Sequence, residues 1–238
     1  MRGPGQLSFT FRAHGGARVG AGRPRKKFRN RVPHLARPAL SRHHPVHVTL
    51  RVRGGIESLR GSAMFRSVSA ALADARDRFG FRLVHFSVQR DHLHLLVEAQ
   101  NRRALGRGMQ GLAIRVAKAV NRRLGRRGKV FGDRYHARAL RTPRETRLAL
   151  RYVLLNLRKH ADGVARMPAG FVDGRSSARW FEGWNRPRAL CFVAEAAARN
   201  SAPPTVPPRT WLLRMGWRRA GPMLDPDEHP AGRSVLRG

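Results

Sequence analysis

Apolar and polar side chains alternate along one stretch near the start of the patterned region: Val46, Val48, Leu50 and Val52 are separated by His47, Thr49 and Arg51. A period of two marks a strand with one buried face, so this segment predicts a half-buried β-strand. The period then changes. Phe65, Val68, Leu72, Ala75 and Phe79 recur at helical spacing and stop at Gly80, which predicts a helix crossing back over that strand. Val84, Phe86 and Val88 alternate with His85, Ser87 and Gln89, and the Arg90-Asp91 turn leads into His92 to Glu98, predicting a hairpin of two adjacent strands. Met109, Leu112, Ala113, Val116 and Val120 form a second amphipathic stripe, closed by Gly125 and Gly128. A weaker strand is expected from Tyr135 to Arg141. Thr142-Pro143-Arg144-Glu145 reads as a capping box with proline in the first turn, opening a helix expected to run to about His160.

Strand, helix, strand, strand, helix, strand, helix is the element order of a ferredoxin-like α+β fold with one added C-terminal helix, which here carries Tyr152. The first two helices are expected on one face of an antiparallel sheet. Residues 1–43 are rich in Gly, Arg and Pro without an apolar period and predict a flexible basic arm. Residues 44–163 form the patterned domain. Residues 164–238 carry scattered aromatics (Phe171, Trp180, Phe181, Trp184) and a Pro-rich stretch from Ala202 to Pro208, predicting an extension packed on the core and then a mobile tail.

Charge narrows the partners. The chain has 238 residues, with 49 Lys and Arg against 14 Asp and Glu, a formal charge of +35. A compact domain holds that charge against self-repulsion most readily with a polyanion bound, so nucleic acid is the expected partner. Arginine dominates, which suits bidentate phosphate binding, although a GC-rich genome produces the same bias. The single cysteine, Cys191, excludes an internal disulfide and a Cys-cluster zinc site. Met1 to Arg12 lacks a secretory pattern, and no apolar run approaches the ~20 residues of a membrane span. A cytoplasmic, nucleoid-associated protein with no membrane partner is therefore expected.

Within the hairpin, His92 and His94 share one face of a strand whose other face is Leu93, Leu95 and Val97. Two imidazoles held side by side by a sheet can act as ligands of one divalent ion; the bland alternative is two surface histidines. On the capped helix, Leu150, Val153, Leu154 and Leu157 form the apolar stripe, leaving Tyr152 and Asn156 on a different side. A phenol has a solution pKa near ~10, so a nucleophilic tyrosine needs an ion or basic neighbour; Arg151, Arg158 and Lys159 stand on the same helix. The other tyrosine, Tyr135, has no Asn or Gln four residues on. Arg102, Arg103, Arg107, Arg115 and Arg122 line the second helix and can track a DNA backbone. In the arm, Gly22 to Lys27, with Arg23 and Arg25, resembles a minor-groove AT-hook or else a plain phosphate-binding tail.

Taken in order, Leu83 to Gln89, His92 to Glu98, Val130-Phe131-Gly132-Asp133-Arg134-Tyr135 and Arg151 to Asn156 resemble the HUH single-tyrosine transposases, above all those associated with repetitive extragenic palindromes (REP). The resemblance covers about residues 43 to 190. It implies that His92, His94 and Asn156 bind Mg or Mn, that Tyr152 attacks DNA, and that the substrate is a single-stranded hairpin with a short flanking guide. The sequence departs from the commoner pattern at Leu154 and Leu157, and at Asp91 before the first histidine. The expected activity is single-stranded DNA cleavage and strand transfer through a 5′-phosphotyrosine. The rivals are a non-catalytic binding module and a domesticated hairpin-binding protein; monomer and homodimer stay open.

Overall fold

Val46, Val48 and Leu50 are buried on one face of β1 (Val46–Arg51), as their alternation predicts. After it come α1 (Ser62–Ala75), β2 (Asp77–Arg78), β3 (Phe81–Val88), β4 (His92–Ala99), α2 (Arg102–Arg123), β5 (His136–Ala139) and α3 (Pro143–Leu154). The structure, a computed structural model, describes residues 39–160, 168–186, 192–193 and 202–228. The expected AT-hook, with Arg23 and Arg25, lies outside the described residues, as do the last ten residues of the expected tail.

The strands form one antiparallel sheet in the order β2-β3-β4-β1-β5. Apart from the two-residue β2, this is the ferredoxin-like arrangement, with β1 and β4 at the centre. One face, built from Val48, Leu50, Phe86, Leu93, Leu95 and Val97, is covered by α1 and α2. The opposite face buries Val84 and Leu96 under α3, through Leu150, Val153 and Leu154.

Three local departures from the expected pattern have physical causes. The first helix ends at Ala75, not near Phe79. Phe79 and Gly80 instead form the two-residue loop of the β2–β3 hairpin, with φ of 53° and 76°. Tight hairpin loops of two left-handed residues match the strand twist, and the ring of Phe79 is left exposed. In β3 the register slips between Leu83 and His85, and this bulge turns Val84 away from Phe86 and Val88 onto the α3 face.

The third departure concerns the capped helix. Its start is as expected: Thr142 accepts from the Glu145 backbone N–H, Glu145 caps in return, and Pro143 opens the first turn. It does not run unbroken to His160. α3 stops at Leu154, and a short α4 (Asn156–His160) restarts after Leu155. Val153, Leu154, Leu155 and Asn156 are all buried. Four consecutive residues wrap most of the way round a helix, so their burial means that this stretch is covered by the C-terminal extension as well as by the sheet.

The C-terminal extension docks on the α3 side of the sheet. A short parallel pair, β6 (Phe171–Val172) with β7 (Phe192–Val193), and one turn of helix, α5 (Trp211–Arg214), are its regular elements. Asp173 receives both terminal nitrogens of Arg60 at 2.8 and 2.9 Å. The buried Glu98 carboxylate accepts from the backbone N–H groups of Arg209 and Thr210, and Arg82 donates to the carbonyl of Pro207. Phe181, Trp184 and Trp217 fill the second core with α3.

Candidate active site

Strand alternation puts His47 and Thr49 of β1, Ser87 of β3, and His92 and His94 of β4 on the sheet face under α3. In the ladder, Thr49 and Ser87 lie opposite His94 from either side. The Nε2 atoms of His92 and His94 face each other at 2.9 Å. Each ring is oriented through its other nitrogen: Nδ1 of His92 lies 2.7 Å from the Asp91 carboxylate, and Nδ1 of His94 lies 3.2 Å from the Thr49 hydroxyl. The Asp91 carboxylate only accepts, so it favours the His92 tautomer protonated at Nδ1, and the Thr49 hydroxyl holds the His94 ring in place; both Nε2 atoms are thereby aimed at one point, as in ligating histidines. The Asp91 carboxyl is pulled upward by partial burial, but the hydrogen bond to His92 and the nearby positive charge of Arg51 outweigh this and hold it below its ordinary value.

Tyr152 comes to this pair from α3. Its ring stands edge-on to His94, with centroids 5.0 Å apart and planes at 79°. The structure thus brings His92, His94 and Tyr152 together. Asn156, just beyond the break, is fully buried, and neither its amide oxygen nor its amide nitrogen has a hydrogen-bond partner. A buried amide without a partner carries a desolvation cost that a ligand would relieve.

The paired imidazole nitrogens are spaced as two ligands of one divalent ion would be. Ligand atoms about 2.1 Å from an ion at about right angles lie about 3 Å from one another, close to the Nε2 separation here. The amide oxygen suits Mg or Mn, which favour oxygen donors. Among the described residues no group of three or more His, Cys, Asp and Glu side chains is gathered to hold a metal.

His47 was not among the residues expected to act, yet it belongs to the cluster. Its ring stacks on His94 at 5.4 Å and meets the Tyr152 ring edge-on at 5.7 Å. Its Nε2 is buried without a hydrogen-bond partner. Burial first, then the charges of Arg138 and His136, lower its pKa to about 4, so it is a neutral imidazole near pH 7. The available signal was its place on the polar face of the central strand.

The expected arginines divide. Arg102, Arg103, Arg107 and Arg122 are exposed on α2, and Arg115 is half-buried with its guanidinium donating to the Gly111 carbonyl. Because α2 covers the opposite face of the sheet, this stripe lies across the sheet from the imidazole pair. Arg151 pairs with Glu228 at 3.2 Å. Arg158 departs from expectation: it is buried, and Asp227 holds its guanidinium at 2.7 Å, which makes it a structural ion pair and not a phosphate contact. The Lys159 side chain lies outside the described ones.

Residues 42–154 match the sequence model of a family described as "Transposase IS200 like". Over this segment the chain is similar to the IS200-like transposases. The matched segment runs from just before β1 to the end of α3, and so contains His47, His92, His94 and Tyr152 but not Asn156. This likeness supports a transposase-type function in DNA processing. Among solved structures, the chain is similar to a REP-associated tyrosine transposase bound to a REP hairpin, at 14% identity and TM-score 0.44 over 55% of this chain and 75% of that one. It is also similar to a putative transposase from Deinococcus radiodurans, at 18% identity and TM-score 0.35 over 49% of this chain and 86% of that one. No curated protein matches the chain. Among the described residues no helix is long and apolar enough to cross a membrane.

Proposed function

We propose that this IS200-like protein is a single-stranded DNA endonuclease and strand transferase with Tyr152 as its nucleophile. The observation that carries this reading is the convergence of two imidazoles, Nε2 to Nε2 at 2.9 Å, beside the phenol ring of Tyr152. His92, His94 and Asn156 would hold a divalent ion, Mg or Mn. When bound, that ion supplies positive charge against the scissile phosphate and favours the ionised phenol.

The chain's own residues do the rest. Tyr152 oxygen attacks phosphorus in line; the bond from phosphorus to the 3′-oxygen breaks as the bond from phosphorus to tyrosine forms. The phenolic proton passes to solvent, and the leaving 3′-oxygen takes one up. The products are a 5′-phosphotyrosine and a free 3′-OH. Because one phosphodiester replaces another, a second 3′-OH can displace the tyrosine and rejoin the strand without ATP. His47, packed against both rings, acts as a positioning residue that limits the swing of the phenol. Asp91 and Thr49 fix the imidazoles. The arginines of α2 and a basic arm containing Arg23 and Arg25 bind DNA outside this centre. Hairpin-forming single strands with a short flank are the substrate class carried over from the sequence resemblance.

The test incubates the full chain with Mn and end-labelled single-stranded DNA hairpins from the flanks of its own gene. A covalent adduct that survives denaturation is expected, and it is lost in Tyr152→Phe and in the His92→Ala, His94→Ala double variant. Binding without any adduct, or an adduct unaffected by Tyr152→Phe, would overturn the reading.

A further inference from the structure

Beside the outer edge of β3, away from the imidazole pair, the C-terminal extension borders an open cleft of about 590 Å³. That volume lies within the about 300–1,000 Å³ typical of sites for small organic groups. Its position follows from how the extension docks: Val206 donates its backbone N–H to the Leu83 carbonyl, so the Pro-rich segment runs along the β3 edge and forms one wall.

The lining has three chemically distinct parts. Half-buried Trp180 supplies aromatic surface, backed by the edges of the core rings Phe181 and Trp217. At the floor are His85 and Ser177, with Nδ1 of His85 3.3 Å from the Ser177 hydroxyl, so Nε2 is the nitrogen His85 can offer the cleft. Burial lowers the His85 pKa to about 4, which makes it a neutral hydrogen-bonding group and not a charge near pH 7. At the mouth are two exposed guanidiniums, Arg214 and Arg218, against the single carboxylate of Glu182. Aromatic walls suit a flat ring, a polar floor suits its hydrogen-bonding edge, and a cationic rim suits an attached phosphate.

We infer that this cleft receives one unstacked nucleotide of the bound DNA strand, its base among the three aromatic rings and its phosphate at Arg214 and Arg218. The inference rests on the DNA-processing reading, but not on the chemistry of Tyr152. A base inserted here would anchor the strand on the same face of the sheet that carries His92 and His94, since His85 projects from β3 two residues from Ser87, the cross-strand neighbour of His94.

The test uses the full chain and single-stranded DNA carrying 5-iododeoxyuridine at one position at a time. After irradiation without added metal, the crosslinked peptides are mapped by mass spectrometry. Crosslinks to His85, Trp180, Phe181 or Trp217 are expected from one or two adjacent positions, and Arg214→Gln with Arg218→Gln is expected to lower their yield severalfold. Crosslinks that spread over other segments and leave these four rings unmodified would overturn the proposal and point to another occupant, such as a segment of this chain or a second copy. A yield at these rings unmoved by the double substitution would overturn the phosphate assignment at the rim. Measuring the covalent adduct in parallel separates the two readings: cleft crosslinks without an adduct sustain the cleft and refute the nuclease, and the reverse refutes the cleft alone.

Discussion

The ring of Tyr152 meets the imidazole of His94 edge-on, 5.0 Å between centroids, although 57 positions of chain separate the two residues. That contact joins the capped helix to the central strand and sets where a nucleophilic oxygen could work. Every element between them, from α2 through β5, serves in part to return the chain across the sheet to this face.

The hydrogen bond from His92 Nδ1 to Asp91 orients a proposed ligand without joining the donor set. Asp91→Asn is expected to weaken Mn affinity about 10–100-fold, as losses in the shell behind the ligands usually do. Calorimetric titration with Mn checks this, and an unchanged affinity would separate Asp91 from the site.

Burial keeps His85 neutral, and this makes folding stability depend on pH. Its folded pKa of about 4 lies below the ordinary 6.5, so the unfolded chain takes up the proton first as pH falls. The stability contributed by the neutral ring is present above pH 6.5 and is lost progressively down to about 4, a change of roughly 3 kcal/mol. Urea unfolding at about pH 7 and about pH 4.5 should show a larger loss in the wild type than in His85→Gln. Equal losses would mean that the ring is protonated in the folded state.

Arginines on the two sides of the sheet should respond differently. Removing exposed Arg122 of α2 should leave stability alone and lower the salt dependence of DNA binding by about one unit of slope. Arg158→Gln should leave that slope unchanged and cost about 1 kcal/mol of stability, because it removes a buried guanidinium from Asp227, which keeps Arg186 and the Gly170 backbone N–H as partners. Salt titrations and chemical denaturation of the two variants distinguish them.

Much of this arrangement is legible in the sequence because it follows from periodicity. The alternation at Val46 to Val52, the His92 to Glu98 strand and the Thr142 to Glu145 cap fix the sheet face, its two imidazoles and the start of the tyrosine helix. What was not legible depends on contacts between distant segments. At the break the Leu155 N–H bonds back to Arg151 and the Arg158 N–H to Leu155, and no glycine or proline announces it. The ion pair of Arg158 depends on Asp227, 69 positions later. His47 joins the site only through β1 lying beside β4, a pairing that its local pattern does not encode.

Helix packing on the far side of the sheet offers an independent check of the fold. A Cβ added at Gly108 of α2 would lie 2.1 Å from the ring of the fully buried Phe81. Gly108→Ala should therefore force α2 away from β3 and cost about 1–3 kcal/mol. A thermal melt equal to that of the wild type would contradict the close approach.

The central claim, that Tyr152 forms the covalent link to DNA, is tested most directly by mass spectrometry of the trypsin-digested adduct. Cleavage after Arg151 and Arg158 releases the peptide Tyr152 to Arg158. The account predicts that this peptide carries the nucleotide through a 5′-phosphotyrosine. A nucleotide found instead on the peptide containing Tyr135, or on no tyrosine, would contradict it.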